Sequence, residues 1–141
     1  MKTFFDTSVL VASMIEDAPE HRPALKALHH YAAQGYAALH SVAECFATLT
    51  GGRLGIQVPP IEAAEMIQAN VVQPLELVAL SKADYVHVMR SAQSLGMRGG
   101  AIYDGLLLAC ARKIEAERIL TLNMRHFAAF APELRGVIQS P

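Results

Sequence analysis

Tryptophan is absent from the 141 residues, cysteine occurs twice, and neither sign of charge prevails: 12 Lys and Arg stand against 13 Asp and Glu, for a formal net charge of -1. Without a cationic excess, a polyanion is not held by bulk attraction and needs a local basic patch. Cys45 and Cys110 are isolated from each other and from any histidine cluster at zinc-like spacing, which argues against Zn²⁺. Both fall in apolar segments where Cys acts as a small hydrophobe, so they are expected to be reduced, in a cytoplasmic protein. No apolar run approaches the ~18 residues needed to span a bilayer, and Asp6 interrupts Phe4-Phe5 before a signal-peptide core forms. A membrane partner is therefore not expected. Glycine-rich phosphate loops are missing too: neither Gly51-Gly52-Arg53 nor Gly96 to Gly100 follows the dinucleotide or P-loop pattern.

What is present is apolar. Hydrophobic residues make up 52% of the chain and charged ones only 18%, enough for one sizeable core in a single domain over residues 1–141. Met1 to Phe5 reads as a short buried strand running into Asp6-Thr7-Ser8, whose short polar side chains suit the start of a helix from Val9 to Ile15. Pro19 and Pro23 punctuate the next helix, on which Leu25, Leu28 and Ala32 recur, and Gly35 ends it. Tyr36 to Leu39 is a second strand, and Ser41 opens a helix with Glu44 in its first turn that stops at Gly51-Gly52.

After a loop from Arg53 to Pro60, a helix is expected over Ile61 to Val72 and a third strand over Leu75 to Leu80. Ala83, Val86, Met89 and Ala92 mark another helix, ending at Gly96. Ile102 to Ala116 is apolar on most of its circumference, with Asp104 in its first turn. Arg118 to Leu122 is a fourth strand ending at Asn123, and Val137-Ile138 a short fifth. Strands alternating with helices predict a three-layer α/β/α sandwich around a mostly parallel four- or five-stranded sheet.

In such sheets ligands bind beyond the carboxyl ends of the strands. That rule selects Asp6 after the first strand, Glu44 beyond the second, Asp104 at the head of a helix leading back to the same edge, and Asn123 after the fourth. Carboxylates gathered in a partly dry cleft repel one another unless a cation lies among them, and oxygen donors with retained water suit Mg²⁺ or Mn²⁺. Each residue also has a plain structural reading. Asp6 can cap a helix, Ser41 and Glu44 have capping-box spacing, and Asp104 suits a helix N-terminus. Capping gives no reason for three acids to gather at one sheet edge.

The segments Phe5-Asp6-Thr7-Ser8, Ser41-Val42-Ala43-Glu44, Gly99-Gly100-Ala101-Ile102-Tyr103-Asp104 and Leu120-Thr121-Leu122-Asn123-Met124-Arg125-His126-Phe127 together resemble the PIN domain of VapC-type toxins. The stretch from Gly99 to Phe127 is the most specific part. The resemblance implies a Mg²⁺- or Mn²⁺-dependent endoribonuclease, frequent homodimerisation and inhibition by a cognate antitoxin. By position, Asp6, Glu44 and Asp104 match the acidic metal-site residues, Asn123 stands where members often have another Asp, and Ser8 and Thr121 match small hydroxyl positions that orient ligands or water. Asn123 leaves three formal charges in the site rather than four.

Arg53, Arg98, Arg125 and Lys2 are the cations expected nearest the acidic edge and hence nearest an RNA substrate, with His126 a further phosphate contact or a packing residue. The helix ending at Gly51 and the segment Ile61 to Val72 offer apolar faces for a dimer or antitoxin groove, unless both pack on the domain's own core. Two other readings compete. A phosphatase using Asp6 as phosphoryl acceptor, of the haloacid dehalogenase type, lacks its second Asp, since that position is Ser8. A non-catalytic RNA-binding or scaffolding PIN domain is made plausible by Asn123 and by the modest charge.

Overall fold

The computed structural model describes residues 1–141. Its centre is a sheet of five strands, all parallel, in the order β3-β2-β1-β4-β5: β1 (Thr3–Phe5), β2 (Gly35–Ala38), β3 (Glu76–Val78), β4 (Arg118–Leu120) and β5 (Ile138–Gln139). The seven α-helices are α1 (Thr7–Met14), α2 (His21–Tyr31), α3 (Leu39–Thr50), α4 (Pro60–Ile67), α5 (Lys82–Leu95), α6 (Ala101–Lys113) and α7 (Met124–Phe130).

The layering follows from the two-residue period of a strand, which sends successive side chains to opposite faces. Phe5, Ala37 and Leu120 point to one side and join a core with Leu10, Leu28, Leu49 and Ile67 from α1 to α4. Phe4, Ala38 and Ile119 point to the other and join Leu107, Leu108, Phe127 and Phe130 from α6 and α7. A parallel sheet clothed on both faces buries its central strand from either side, and Thr3, Phe4 and Phe5 of β1 are all fully buried. Cys45 and Cys110 belong to opposite layers and are both unpaired, so the sheet itself stands between them.

The order of strands places the site. The chain builds outward from β1 through β2 to β3, then returns to lay β4 against the other edge of β1 and continues to β5. The carboxyl ends of β1 and β4 therefore flank the topological switch point, where helices diverge and a crevice opens. Asp6 leaves β1 there, with its N–H donating to the Leu120 carbonyl at 2.9 Å.

Several local expectations change. Helix α3 begins at Leu39 rather than Ser41, so Glu44 lies in its second turn and the Ser41–Glu44 capping box does not form. The Ser41 side chain is fully buried and bonds to Thr7 instead. The segment Ile61 to Val72 is not one regular helix, because α4 passes at Gln68–Val72 into a π-helical turn. On α5 the inward residues are Val88 and Ala92, whereas Ala83, Val86 and Met89 are exposed, so of the residues that marked this helix only Ala92 faces the core. Apolar residues on two faces made the phase ambiguous, and contact with α6 decides it. Helix α5 has a genuine capping box between Ser81 and Asp84, and Gly96 closes it at φ 66 in the left-handed region that glycine tolerates.

A glycine inside the buried α6 has a packing cause. A Cβ at Gly105 would stand 2.6 Å from Phe130 Cζ and 2.9 Å from Val88 Cγ1, so α6 approaches α5 and α7 only because that atom is missing. Gly105→Val is expected to destabilise the fold by about 1–3 kcal/mol, the usual cost of overpacking a core. Urea unfolding checks this, and the loss should appear in the midpoint with little change in slope.

Candidate functional site

Asp6, Glu44, Asp104 and Asn123 line one cleft of about 640 Å³ at the carboxyl edge of the sheet, together with Thr7 and Ser8. Asp17 and Glu20, from the turn between α1 and α2, complete its rim. The lining thus carries five carboxylates and no lysine or arginine. Another large concavity, about 820 Å³ along α2 with Arg22, Lys26 and His29, shares no residue with it.

Asp6 is 2% exposed and does not cap α1 through its side chain. Its Oδ2 instead accepts from Ser8 Oγ at 2.6 Å and from Thr121 Oγ1 at 2.7 Å. Both hydroxyls are themselves held by β4's exit: Leu122 N–H donates to Ser8 Oγ at 3.1 Å and Asn123 N–H to Thr121 Oγ1 at 2.9 Å. Ser8 and Thr121, expected to orient ligands or water, clamp the Asp6 carboxylate across the β1–β4 seam. Burial raises the Asp6 pKa above its ordinary value, and the Ser8 and Thr121 hydrogen bonds oppose that shift by favouring the charged form.

Glu44 is fixed by a second hydroxyl chain that sequence reasoning missed. Thr7 Oγ1 donates to Glu44 Oε1 at 3.1 Å, and Ser41 Oγ lies 2.9 Å from the same Thr7 hydroxyl, which leaves Ser41 as donor to Thr7. His40, one turn earlier, brings Nε2 to 3.8 Å from Glu44 Oε1. Burial raises the Glu44 pKa, His40 and the Thr7 bond counter it, and the charges of Asp6 and Asp104 add to it. Asp104 enters from α6 with its pKa pushed up to about 6 by burial and by Asp6, against a weaker pull from His126, whose Nδ1 lies 4.0 Å from Oδ2. The Thr7 signal was visible as a hydroxyl beside Asp6, but its partners are 34 and 37 residues away in sequence.

No three of the His, Cys, Asp and Glu side chains converge tightly enough to make a ready-formed metal cage. The arrangement is an open acidic cleft with two carboxylates locked by hydroxyls and a third half-paired with an exposed histidine. Such a set of oxygen donors fits a hard cation that keeps several waters and takes only one or two carboxylates directly.

The expected cations lie outside the cleft. Arg53 precedes the lining residues Leu54 and Ile56, Arg98 sits in the turn before α6, and Arg125 follows Asn123 by two residues; all three are exposed. Lys2 is misplaced by the sequence reading. It precedes β1 and so marks the opposite, amino edge of the sheet, where its Nζ donates to the Ile114 carbonyl. His126 is an exposed neighbour of Asp104, not a packed side chain. The faces of α3 and α4 do leave an apolar groove uncovered, lined by Val42, Phe46, Ala64 and Val72.

Asp104 gives a signed prediction for the metal-free protein. Its pKa moves from the ordinary 3.8 to about 6 on folding, so the folded state binds more protons than the unfolded chain between those values. Stability conferred by the protonated group is present at the acid end of that window and is lost as pH rises through about 6. In EDTA, Asp104→Asn should therefore raise the melting temperature at pH 7.5 and flatten its dependence between pH 5 and 7, as read by circular dichroism.

The PIN domain family model matches residues 3–131. No curated protein sequence matches the chain significantly. Among solved structures, the fold is similar to that of Mycobacterium tuberculosis VapC20, a sarcin-ricin loop cleaving toxin. That match has a TM-score of 0.73 and 16% identity, covering 91% of this chain and 95% of the other. It is also similar to VapBC2 from Rickettsia felis, bound to a DNA fragment from their promoter, with a TM-score of 0.67 and 15% identity over 100% of this chain and 99% of that one. The family model spans all five acids of the cleft and every strand but β5, and the three-layer fold agrees with it: this chain belongs to the PIN-domain family.

Proposed function

We propose that the protein is a Mg²⁺- or Mn²⁺-dependent endoribonuclease, and that it serves as the toxin of a toxin–antitoxin pair. The observation that carries this reading is the concentration of Asp6, Glu44 and Asp104 in one cleft that contains no compensating Lys or Arg. Five carboxylates would repel an RNA phosphate as well as one another, and a divalent ion relieves both conflicts. When bound, Mg²⁺ or Mn²⁺ supplies a Lewis acid for the phosphate oxygens and lowers the pKa of a water nucleophile.

The chain's own residues do the rest. Asp6, clamped by Ser8 and Thr121, and Asp104 at the head of α6 hold the cation. Glu44, steadied by the Thr7–Ser41 chain, accepts a proton from the attacking water or orients it. Asn123, exposed at the rim, offers a neutral oxygen without adding charge. Arg53, Arg98 and Arg125, exposed outside the cleft lining, guide the RNA backbone. RNA approach is then salt-dependent, because cationic contacts to phosphate release counterions.

The toxin role rests on the similarity to VapC20 and VapBC2 and on the groove between α3 and α4. An antitoxin helix presenting an apolar face would seat there. In a cell, expression of this chain alone is expected to arrest growth, and co-expression of the cognate antitoxin to restore it. A homodimer is the expected assembly, checked by light scattering.

Cleavage of RNA by purified protein tests the catalytic reading. The wild type is expected to cut single-stranded or looped RNA with Mg²⁺ or Mn²⁺ and to stop in EDTA. Asp6→Asn, Glu44→Gln and Asp104→Asn should each lower kcat by about 100-fold or more, the scale of removing a positioned charge or base. Thr121→Val, which removes one of two hydroxyl clamps on Asp6, should weaken metal affinity by about 10- to 100-fold while leaving the fold intact. If wild type and Asp104→Asn bind RNA equally and neither cleaves it, the protein is an RNA-binding scaffold, a role compatible with the neutral Asn123.

A further inference from the structure

Beside the acidic cleft lies an aromatic pair to which the proposed chemistry assigns no task. The rings of His40 and Tyr103 stack at 5.5 Å between centroids, with only 10° between their planes. Tyr103 is 48% exposed, an unusual setting for a tyrosine on a helix whose following turns are almost wholly buried. Both rings are tied to the site: Tyr103 immediately precedes Asp104 on α6, and His40 stands 3.8 Å from Glu44 on α3. Next to them, an apolar hollow of about 260 Å³ opens between the ends of β2 and β3 and helix α6, with His40, Leu39, Val78 and Leu106 in its wall.

We propose that the His40–Tyr103 pair is a stacking platform for one unpaired base of the RNA, next to the phosphate that is cut. The inference rests on the ribonuclease reading above and deepens it by naming single-stranded substrate and one residue that holds it. The cleft lining has no lysine or arginine, and a phosphate bound to a metal ion is the same group at every nucleotide, so phosphate contacts alone would not choose which bond is cut. Base stacking on an exposed aromatic ring is indifferent to charge, and it is how proteins commonly grip unpaired nucleotides. A parallel, half-open ring pair within one residue of Asp104 and one side chain of Glu44 supplies that grip where it is needed. Double-stranded RNA would not reach the platform, because its bases are already stacked.

The test uses single-stranded oligoribonucleotides carrying 2-aminopurine at each position in turn, bound to the intact protein with Ca²⁺ replacing Mg²⁺. At one position the wild type should quench the probe, and Tyr103→Phe should do the same. Tyr103→Ala should lose the quench and bind about 5- to 150-fold more weakly, the equivalent of about 1–3 kcal/mol of stacking per base. With Mg²⁺, the same variant should raise KM more than it lowers kcat, and His40→Ala should shift in the same direction by less. Melting curves confirm that the variants are folded. Cleavage by wild type together with unchanged affinity, quench and KM in Tyr103→Ala overturns the platform and spares the ribonuclease reading. Absence of both RNA binding and cleavage in the wild type overturns both.

Discussion

The Asp6 carboxylate is the constraint on which the site depends. It is a carboxylate buried at the carboxyl end of the sheet's central strand, and it is held by two hydroxyls, of Ser8 and Thr121, that come from either side of the β1–β4 seam. The backbone repeats the tie, through Asp6 N–H to Leu120 and Leu122 N–H to Ser8. Because β1 and β4 are distant in sequence and adjacent in space, the position of Asp6 is a product of the whole topology. A clamp made by the fold's own hydroxyls also spares the reaction the cost of ordering that carboxylate later.

Around this fixed point the other acids are held more loosely. Glu44 hangs from the Thr7–Ser41 chain and is countered by His40, while Asp104 is countered only by an exposed His126. Burial raises the pKa of all three groups, and neighbouring acids add to it at two of them: Asp6 and Asp104 at Glu44, and Asp6 at Asp104. The protein tolerates this cost instead of removing it with a lysine or arginine. Stability is thereby given up at a place where an incoming divalent ion, or protons at low pH, would recover it.

How much of this was legible from the residues depends on the range over which each feature is decided. The strand–helix alternation and the switch-point rule selected Asp6, Glu44, Asp104 and Asn123 as residues that could converge at one edge, and the fold sets all four in one cleft. What failed was decided by neighbours. Ser41 looked like a cap because its spacing to Glu44 is local, yet Thr7, from another helix, claims its hydroxyl. The inward face of α5 depends on its packing with α6, and Lys2 was expected near the acidic edge, although the three residues of β1 carry the chain from one edge of the sheet to the other. The Thr7–Ser41 chain and the His40–Tyr103 stack leave no local pattern, since every member is an ordinary residue until the fold pairs it.

The central claim is that the carboxylate cleft is a seat for a divalent cation. The most direct measurement is a Mn²⁺ titration followed by electron paramagnetic resonance, in which the free-ion signal falls as the protein takes up the metal. The account predicts saturable depletion of that signal by the wild type, and its loss when Asp6 and Asp104 are both replaced by Asn in a protein that still melts cooperatively. Equal depletion by the wild type and the double variant, or none by the wild type, would contradict it.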